Sequence, residues 1–167
     1  GAEGWVHELV VVDSGSTDRT REIAGELGAQ IVHQAWLGHS RQKQVAIDHC
    51  TREWVLVLDC DEELSPDLRS SVQDFFTNGK AARFDGAWFS RKVWFLGRWI
   101  THGDWYPDRK LRLVRRSKAR MSGNDAHDAV EVDGATTVLA GDLHHYSFPS
   151  MNRYVEITST SPARIFG

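Results

Sequence analysis

Short apolar runs alternate with amphipathic stretches through the first half of the chain. His7–Val12 (HELVVV) is too short for a helix, is rich in β-branched valine and ends at Asp13, a strand pattern. Ser14-Gly15-Ser16-Thr17-Asp18 then supplies turn and helix-cap chemistry, and Arg19–Leu27 reads as a helix closed by Gly28. Ala29–His33 predicts a second strand and Ser40–Cys50 a second helix. Trp54–Leu58 (WVLVL) predicts a third strand that runs straight into Asp59. Ser65-Pro66 starts another helix, with proline at its tolerated first-turn position, extending to about Asn78. Strand and helix alternating in this way predict a parallel sheet with crossover helices.

The second half has a different rhythm. Ala87–Phe95 and Lys110–Arg115 predict strands, with shorter ones near Val130–Val132 and Thr137–Leu139. An amphipathic helix is expected from near Pro149, including Met151–Ile157. No repeat and no long linker divides the 167 residues, so a single α/β domain, residues 1–167, with a mixed sheet is expected. An open α/β sheet usually places its first strand in the middle. An outer strand as the opening element therefore suggests an N-terminal truncation.

Composition narrows the class. With 41% hydrophobic and 26% charged residues the chain is ordinary globular protein, not a disordered tail. No apolar run approaches the roughly 20 residues that span a bilayer, and no signal peptide opens the chain. Cys50 and Cys60 form no CxxC pair, so neither a disulfide framework nor a zinc knot is indicated, and a reducing cytoplasmic setting is the default. Charge is polarised. Residues 91–120 hold ten of the twenty basic side chains against Asp104 and Asp108, a net +8 there and −11 elsewhere. The plain reading is a solvated face; the functional one is a surface that meets phosphate. Nucleic acid is disfavoured, because the chain as a whole is mildly acidic.

The candidate chemistry begins at Asp59-Cys60-Asp61. Side chains two apart in an extended segment point the same way, so both carboxylates could converge on one cation. Ligands of open α/β sheets bind outside the carboxyl ends of strands, where both Asp13 and Asp59 are expected. Mg²⁺ or Mn²⁺ takes oxygen ligands and bridges well to a diphosphate. The plain alternative is an acidic loop capping the next helix.

VVVDSGSTDRT (Val10–Thr20), QKQVA (Gln42–Ala46) and WVLVLDCDEELSP (Trp54–Pro66) resemble the family 2 glycosyltransferases. These have the GT-A fold, a Rossmann-like nucleotide-diphospho-sugar transferase fold. FLGRW (Phe95–Trp99), GDWYPDRKLRLVRR (Gly103–Arg116), AHDAVEVDG (Ala126–Gly134) and HHYSF (His144–Phe148) resemble the branch that builds lipopolysaccharide inner core. The resemblance runs through nearly the whole chain in order. It implies that a first βα unit, which contacts the nucleotide base, is missing here. It also implies transfer of a hexose, often glucose, from a nucleotide-diphosphate sugar to a glycan or glycolipid acceptor.

By the same resemblance Asp13 and Ser14 lie near the base and ribose, Lys43 approaches the base, and Gln44 replaces a commoner Asn beside it. Asp59 would meet the ribose or reach the metal through water, and Asp61 would bind the metal directly. His145 aligns with a late histidine that can complete the metal shell, which would favour Mn²⁺ over Mg²⁺. Inversion needs one general base for the acceptor hydroxyl. The family usually offers His-Glu where this chain has His127-Asp128, so Asp128 is the base candidate, with Asp104 and Asp125 behind it.

Trp88, Phe89, Trp94, Phe95, Trp99, Trp105 and Tyr106 crowd the basic segment. Some suit a half-buried strand, whereas Trp99 and Trp105 flank a turn and read as a lid or sugar platform. The same groups could dock peripherally on the inner face of a membrane. The oligomeric state is left open, since a truncated sheet could expose an edge. Two rivals stand beside the transferase: a non-catalytic nucleotide-sugar-binding module, and a haloacid-dehalogenase-like phosphatase. The phosphatase also places DxD after an apolar strand but wants a Thr shortly after the second Asp, where this chain has Glu62, Glu63 and Leu64.

Overall fold

A computed structural model describes residues 6–123 and 128–148, with backbone only at 147 and 148. The expected helix near Pro149, together with Asp125 and His127, lies outside the described residues. The strands are β1 (Val10–Asp13), β2 (Gln30–His33), β3 (Trp54–Leu56), β4 (Glu62–Leu64), β5 (Gly86–Phe95), β6 (Arg98–Trp99), β7 (Asp108–Arg115), β8 (Ala119–Ser122), β9 (Ala129–Val132) and β10 (Thr136–Phe148). The helices are α1 (Thr20–Glu26), α2 (His39–His49) and α3 (Pro66–Thr77). One sheet has the order β3-β7-β5-β10-β4 with β6 paired off β5, while β1-β2 and β8-β9 form two-stranded sheets. Parallel pairing joins β1 to β2 across α1, as the alternation predicts. β3 does not extend that pair: its ladder partner is β7, antiparallel, with Val55 opposite Val114.

Chain contacts divide the molecule into two compact units. Among the described residues, the first comprises 6–57, 84–87, 111–123 and 128–136. Here α2 packs on β1 and β8, and Ile47, Val55, Leu113, Val114 and Val130 are buried. β8 pairs antiparallel with β9, Met121 opposite Val130. Asp85 gathers two cations of this unit, with Arg115 Nε at 2.9 Å and Lys118 Nζ at 3.0 Å, while Arg115 also pairs with Glu53.

Among the described residues, the second unit comprises 58–83, 88–110 and 137–148. Leu68, Val72 and Phe75 recur at i, i+4 and i+7 of α3 and are buried, the stripe of an amphipathic helix. They share the core of the unit with Phe89, Val93, Leu139 and Leu143. Each such side chain contributes roughly 1.5–3 kcal/mol by leaving water. Ser65 caps α3: its Oγ accepts from Leu68 N at 3.2 Å and from Asp142 N at 3.0 Å, fixing the helix start to β10. β4 pairs antiparallel with β10, His145 opposite Glu62 and His144 opposite Glu63.

Candidate active site

In the first unit β1 delivers Asp13 to a tight turn. Its carboxylate accepts from Gly15 N at 2.9 Å and from Ser16 N at 3.1 Å, and Gly15 has φ +107°, a conformation that favours glycine. Hydrogen bonding from Ser16, with Gly15 helping, holds the Asp13 carboxyl below the usual carboxylate range against the opposing effect of burial. Only 4% of the residue is exposed, so this carboxylate is committed to shaping its own turn. Ser14 stands outside it, its Oγ accepting from Gln42 Nε2 at 2.9 Å.

Three consecutive residues of α2 reach three different places. Gln42, buried, bonds Ser14 and the Gln34 carbonyl, and its Oε1 accepts from Leu37 N. Lys43 Nζ lies 2.7 Å from Asp128 Oδ2, with both side chains about four-fifths buried. Gln44 Oε1 accepts from Met121 N of β8 at 2.8 Å. A helix advances about 100° per residue, so neighbours fan outward in this way. Sequence reasoning gave Gln42 no role of its own. The available signal was a long amide at a helix position otherwise expected to face the core.

In the second unit the acidic motif is a turn and not an extended strand. Ladder assignment ends at Leu56, and Glu62 N bonds Asp59 O at 3.0 Å while Asp59 N donates to Glu62 Oε2 at 3.1 Å. The i to i+3 bond makes residues 59–62 a β-turn, so the alternation argument for Asp59 and Asp61 does not apply. Asp61 is instead set by β10: Tyr146 N donates to its carbonyl at 3.0 Å, and His145 Nε2 lies 3.2 Å from its Oδ2. The His145 imidazole holds the Asp61 carboxyl below the usual carboxylate range, against burial that pushes it up. Asp61 keeps 41% of its side chain exposed and His145 15%. Among the described residues, no group of three or more His, Cys, Asp or Glu side chains gathers tightly enough to hold a metal ion. The structure thus brings together Asp61 and His145, but not a three-ligand cluster that includes Asp59.

β10 presents a different surface one residue away on either side of His145. Strand alternation puts His144 and Tyr146 on the opposite face, where Trp99 stacks on His144 at 4.4 Å and meets Trp94 and Tyr146 edge-on. Tyr146 Oη donates to Glu63 Oε2 at 3.0 Å. Trp99 is therefore packed, whereas Trp105, edge-on to Phe95, stays 43% exposed. Asp104 lies exposed in the turn between them.

The basic segment carries less free charge than its sequence suggests. In the second unit Arg91 and Lys110 share Asp108, and Lys92 pairs with Asp142, which also accepts from Tyr106 Oη at 2.7 Å. In the first, Arg115 and Lys118 share Asp85, and Arg120 meets Glu131 and Asp133. At least six of the ten cations are thus in ion pairs, and most of the partners named here lie outside residues 91–120. Arg98 and Arg109 are solvent-exposed. No helix among the described residues is long and apolar enough to cross a membrane.

A family model described as Glycosyl transferase family 2 matches residues 6–132. The chain is 34% identical over 163 residues to an uncharacterized glycosyltransferase of Rickettsia prowazekii, covering 89% of this chain and 54% of that protein. It is 28% identical over 146 residues to the lipopolysaccharide core biosynthesis glycosyltransferase LpsC of Rhizobium meliloti, covering 83% of this chain and 53% of that one. Among solved structures, S. aureus TarS 1-349 superposes with a TM-score of 0.52 at 16% identity, covering 92% of this chain and 54% of that chain. That likeness speaks to the fold alone and agrees with the expected α/β GT-A architecture. The chain spans about half the length of the relatives it matches. By its family match over residues 6–132, the chain belongs to the family 2 glycosyltransferases.

Proposed function

We propose that this chain carries out inverting, cation-assisted transfer of a hexose, with glucose the first candidate. The donor is a nucleoside-diphosphate sugar and the acceptor a hydroxyl of a lipopolysaccharide core or similar envelope glycan. What carries the reading is the Asp61–His145 pair, an oxygen on a half-exposed turn and a nitrogen on β10, 3.2 Å apart. Adjacent ligands of an octahedral ion with bonds of about 2.0–2.1 Å stand about 3 Å apart, so the spacing of the pair matches one divalent ion, which would take the place of the Nε2 proton now shared with Asp61. The mixed donor set suits Mn²⁺ better than Mg²⁺. Such an ion, when bound, would neutralise the charge that develops on the departing diphosphate.

The remaining roles fall to the chain's own groups. Asp13 keeps the Ser14-Gly15-Ser16 turn rigid, and Ser14, held by Gln42, meets the nucleoside. Asp59 hydrogen-bonds the ribose. Asp128 takes the acceptor hydroxyl proton as the acceptor oxygen attacks the anomeric carbon, and the nucleoside diphosphate leaves with the bonding electron pair. We further place the protein in the cytoplasm, with Trp105 and the exposed arginines as its contact to a membrane-borne acceptor.

The test is turnover of a panel of nucleotide-diphosphate hexoses, UDP-glucose first, with Mn²⁺ and with EDTA, the product anomer read by NMR. Mn²⁺-dependent nucleotide release with inverted configuration is expected. Asp128→Asn should lower kcat by about 10²–10⁴-fold with the donor KM nearly unchanged. Binding without turnover for every donor would make the chain a nucleotide-sugar-binding module instead.

A further inference from the structure

We propose that Lys43 is a positioning residue for Asp128 and not a contact to the nucleotide base. The inference rests on the reading of Asp128 as the general base. Nζ lies 2.7 Å from Oδ2, the length of a charge-assisted hydrogen bond, and both side chains are shielded, 19% and 23% exposed.

The two backbones are fixed independently of this bond. Gln42 ties the same turn of α2 to Ser14, Gln44 ties it to Met121 N, and Ser40 Oγ donates to Ser122 O at 3.3 Å. β8, which holds Met121 and Ser122, is paired with β9, which Asp128 directly precedes. The ammonium and the carboxylate are thus brought together by a scaffold, and the ion pair sets the remaining freedom, rotation of a short side chain.

A carboxylate has two oxygens. With Oδ2 held by Lys43, Oδ1 is oriented to take the proton of the acceptor hydroxyl. Asp128 gains the proton, the acceptor oxygen gains the bond to the anomeric carbon, and the diphosphate oxygen leaves with the electron pair. A reacting group misplaced by about 1 Å can cost on the order of 10²-fold in rate. Loss of Lys43 therefore belongs in kcat.

The experiment compares Lys43→Met, Lys43→Arg, Asp128→Asn and the Lys43→Met/Asp128→Asn double variant. Turnover of UDP-glucose and calorimetric binding of UDP with Mn²⁺ are both measured, with thermal unfolding as the check on folding. Lys43→Met is expected to lower kcat by about 10–100-fold, with the donor KM and the UDP affinity within about threefold. Lys43→Arg should recover part of the loss, and in the Asp128→Asn background Lys43→Met should cost nothing more. Should Lys43→Met not fold, Lys43→Gln takes its place in the cycle. A tenfold or greater loss of UDP affinity with kcat unchanged would overturn the proposal and return Lys43 to the nucleotide. Equal losses in both backgrounds would overturn it too. Normal turnover by Asp128→Asn, or none by the unaltered chain with any donor, would remove the base or the transferase reading itself, and this inference with it.

Discussion

Asp13 shows how differently a strand-end carboxylate can be used from what its position suggests. Its place at the end of an apolar strand was readable from the sequence; its burial against the N–H groups of Gly15 and Ser16 was not, because that depends on the turn folding back on itself. The consequence is a pH dependence with a definite sign. The folded-state value lies below the unfolded one, so the stabilisation is present above the ordinary carboxylate range near pH 4. It is lost as pH falls through the folded value. Urea unfolding of the wild type and of Asp13→Asn should therefore differ most near pH 6, and the difference should shrink as pH falls below the ordinary carboxylate range. A constant difference across that range would show that the turn does not depend on the ionised form. The cations of residues 91–120 teach the same lesson at single residues. Counting charge within a window gave a basic surface, yet Asp85, Asp142, Glu131 and Asp133 come from elsewhere in the chain to pair with it.

Among elements, α3 was readable almost to the residue because its signals are local: Ser65 as cap, Pro66 at the first turn, and a buried stripe at helical spacing. β4 and most of β10 were not. Glu62–Leu64 has no strand character of its own and is a strand because β10 pairs with it. β10 itself carries Asp142, His144 and His145, which break any apolar alternation, so only Thr137–Leu139 stood out. The junction of α3 and β10 is correspondingly sensitive. A Cβ on Gly141, at φ +95°, would lie 2.3 Å from Leu68 N, a backbone atom that cannot step aside. Gly141→Ala should cost about 2–6 kcal/mol, from backbone strain and overpacking of about 1–3 kcal/mol each. Ser65→Ala removes the cap and strands Asp142 N, for about 1–3 kcal/mol. Chemical denaturation measures both. A Gly141→Ala protein as stable as wild type would mean that the close approach is not a real constraint.

For the whole molecule, the α/β class and the family were readable because ordered short motifs along nearly the entire chain carry them. The metal assignment was harder to read. Spacing put Asp59 and Asp61 on one face and the resemblance added His145; the β-turn separates the two aspartates, while the β4–β10 ladder sets Asp61 against His145, 84 positions away. The proposed cation-assisted transfer therefore stands on that pair. Its most direct test is calorimetry of UDP binding with and without Mn²⁺, for the wild type, Asp61→Ala and His145→Ala. Neither substitution removes the backbone bond from Tyr146 N to Asp61 O, so the turn should survive. Mn²⁺ is predicted to strengthen UDP binding at least about tenfold in the wild type, roughly the 1.4 kcal/mol of one added contact, and to do nothing in either variant. UDP affinity indifferent to Mn²⁺, or enhanced equally in all three proteins, would contradict it.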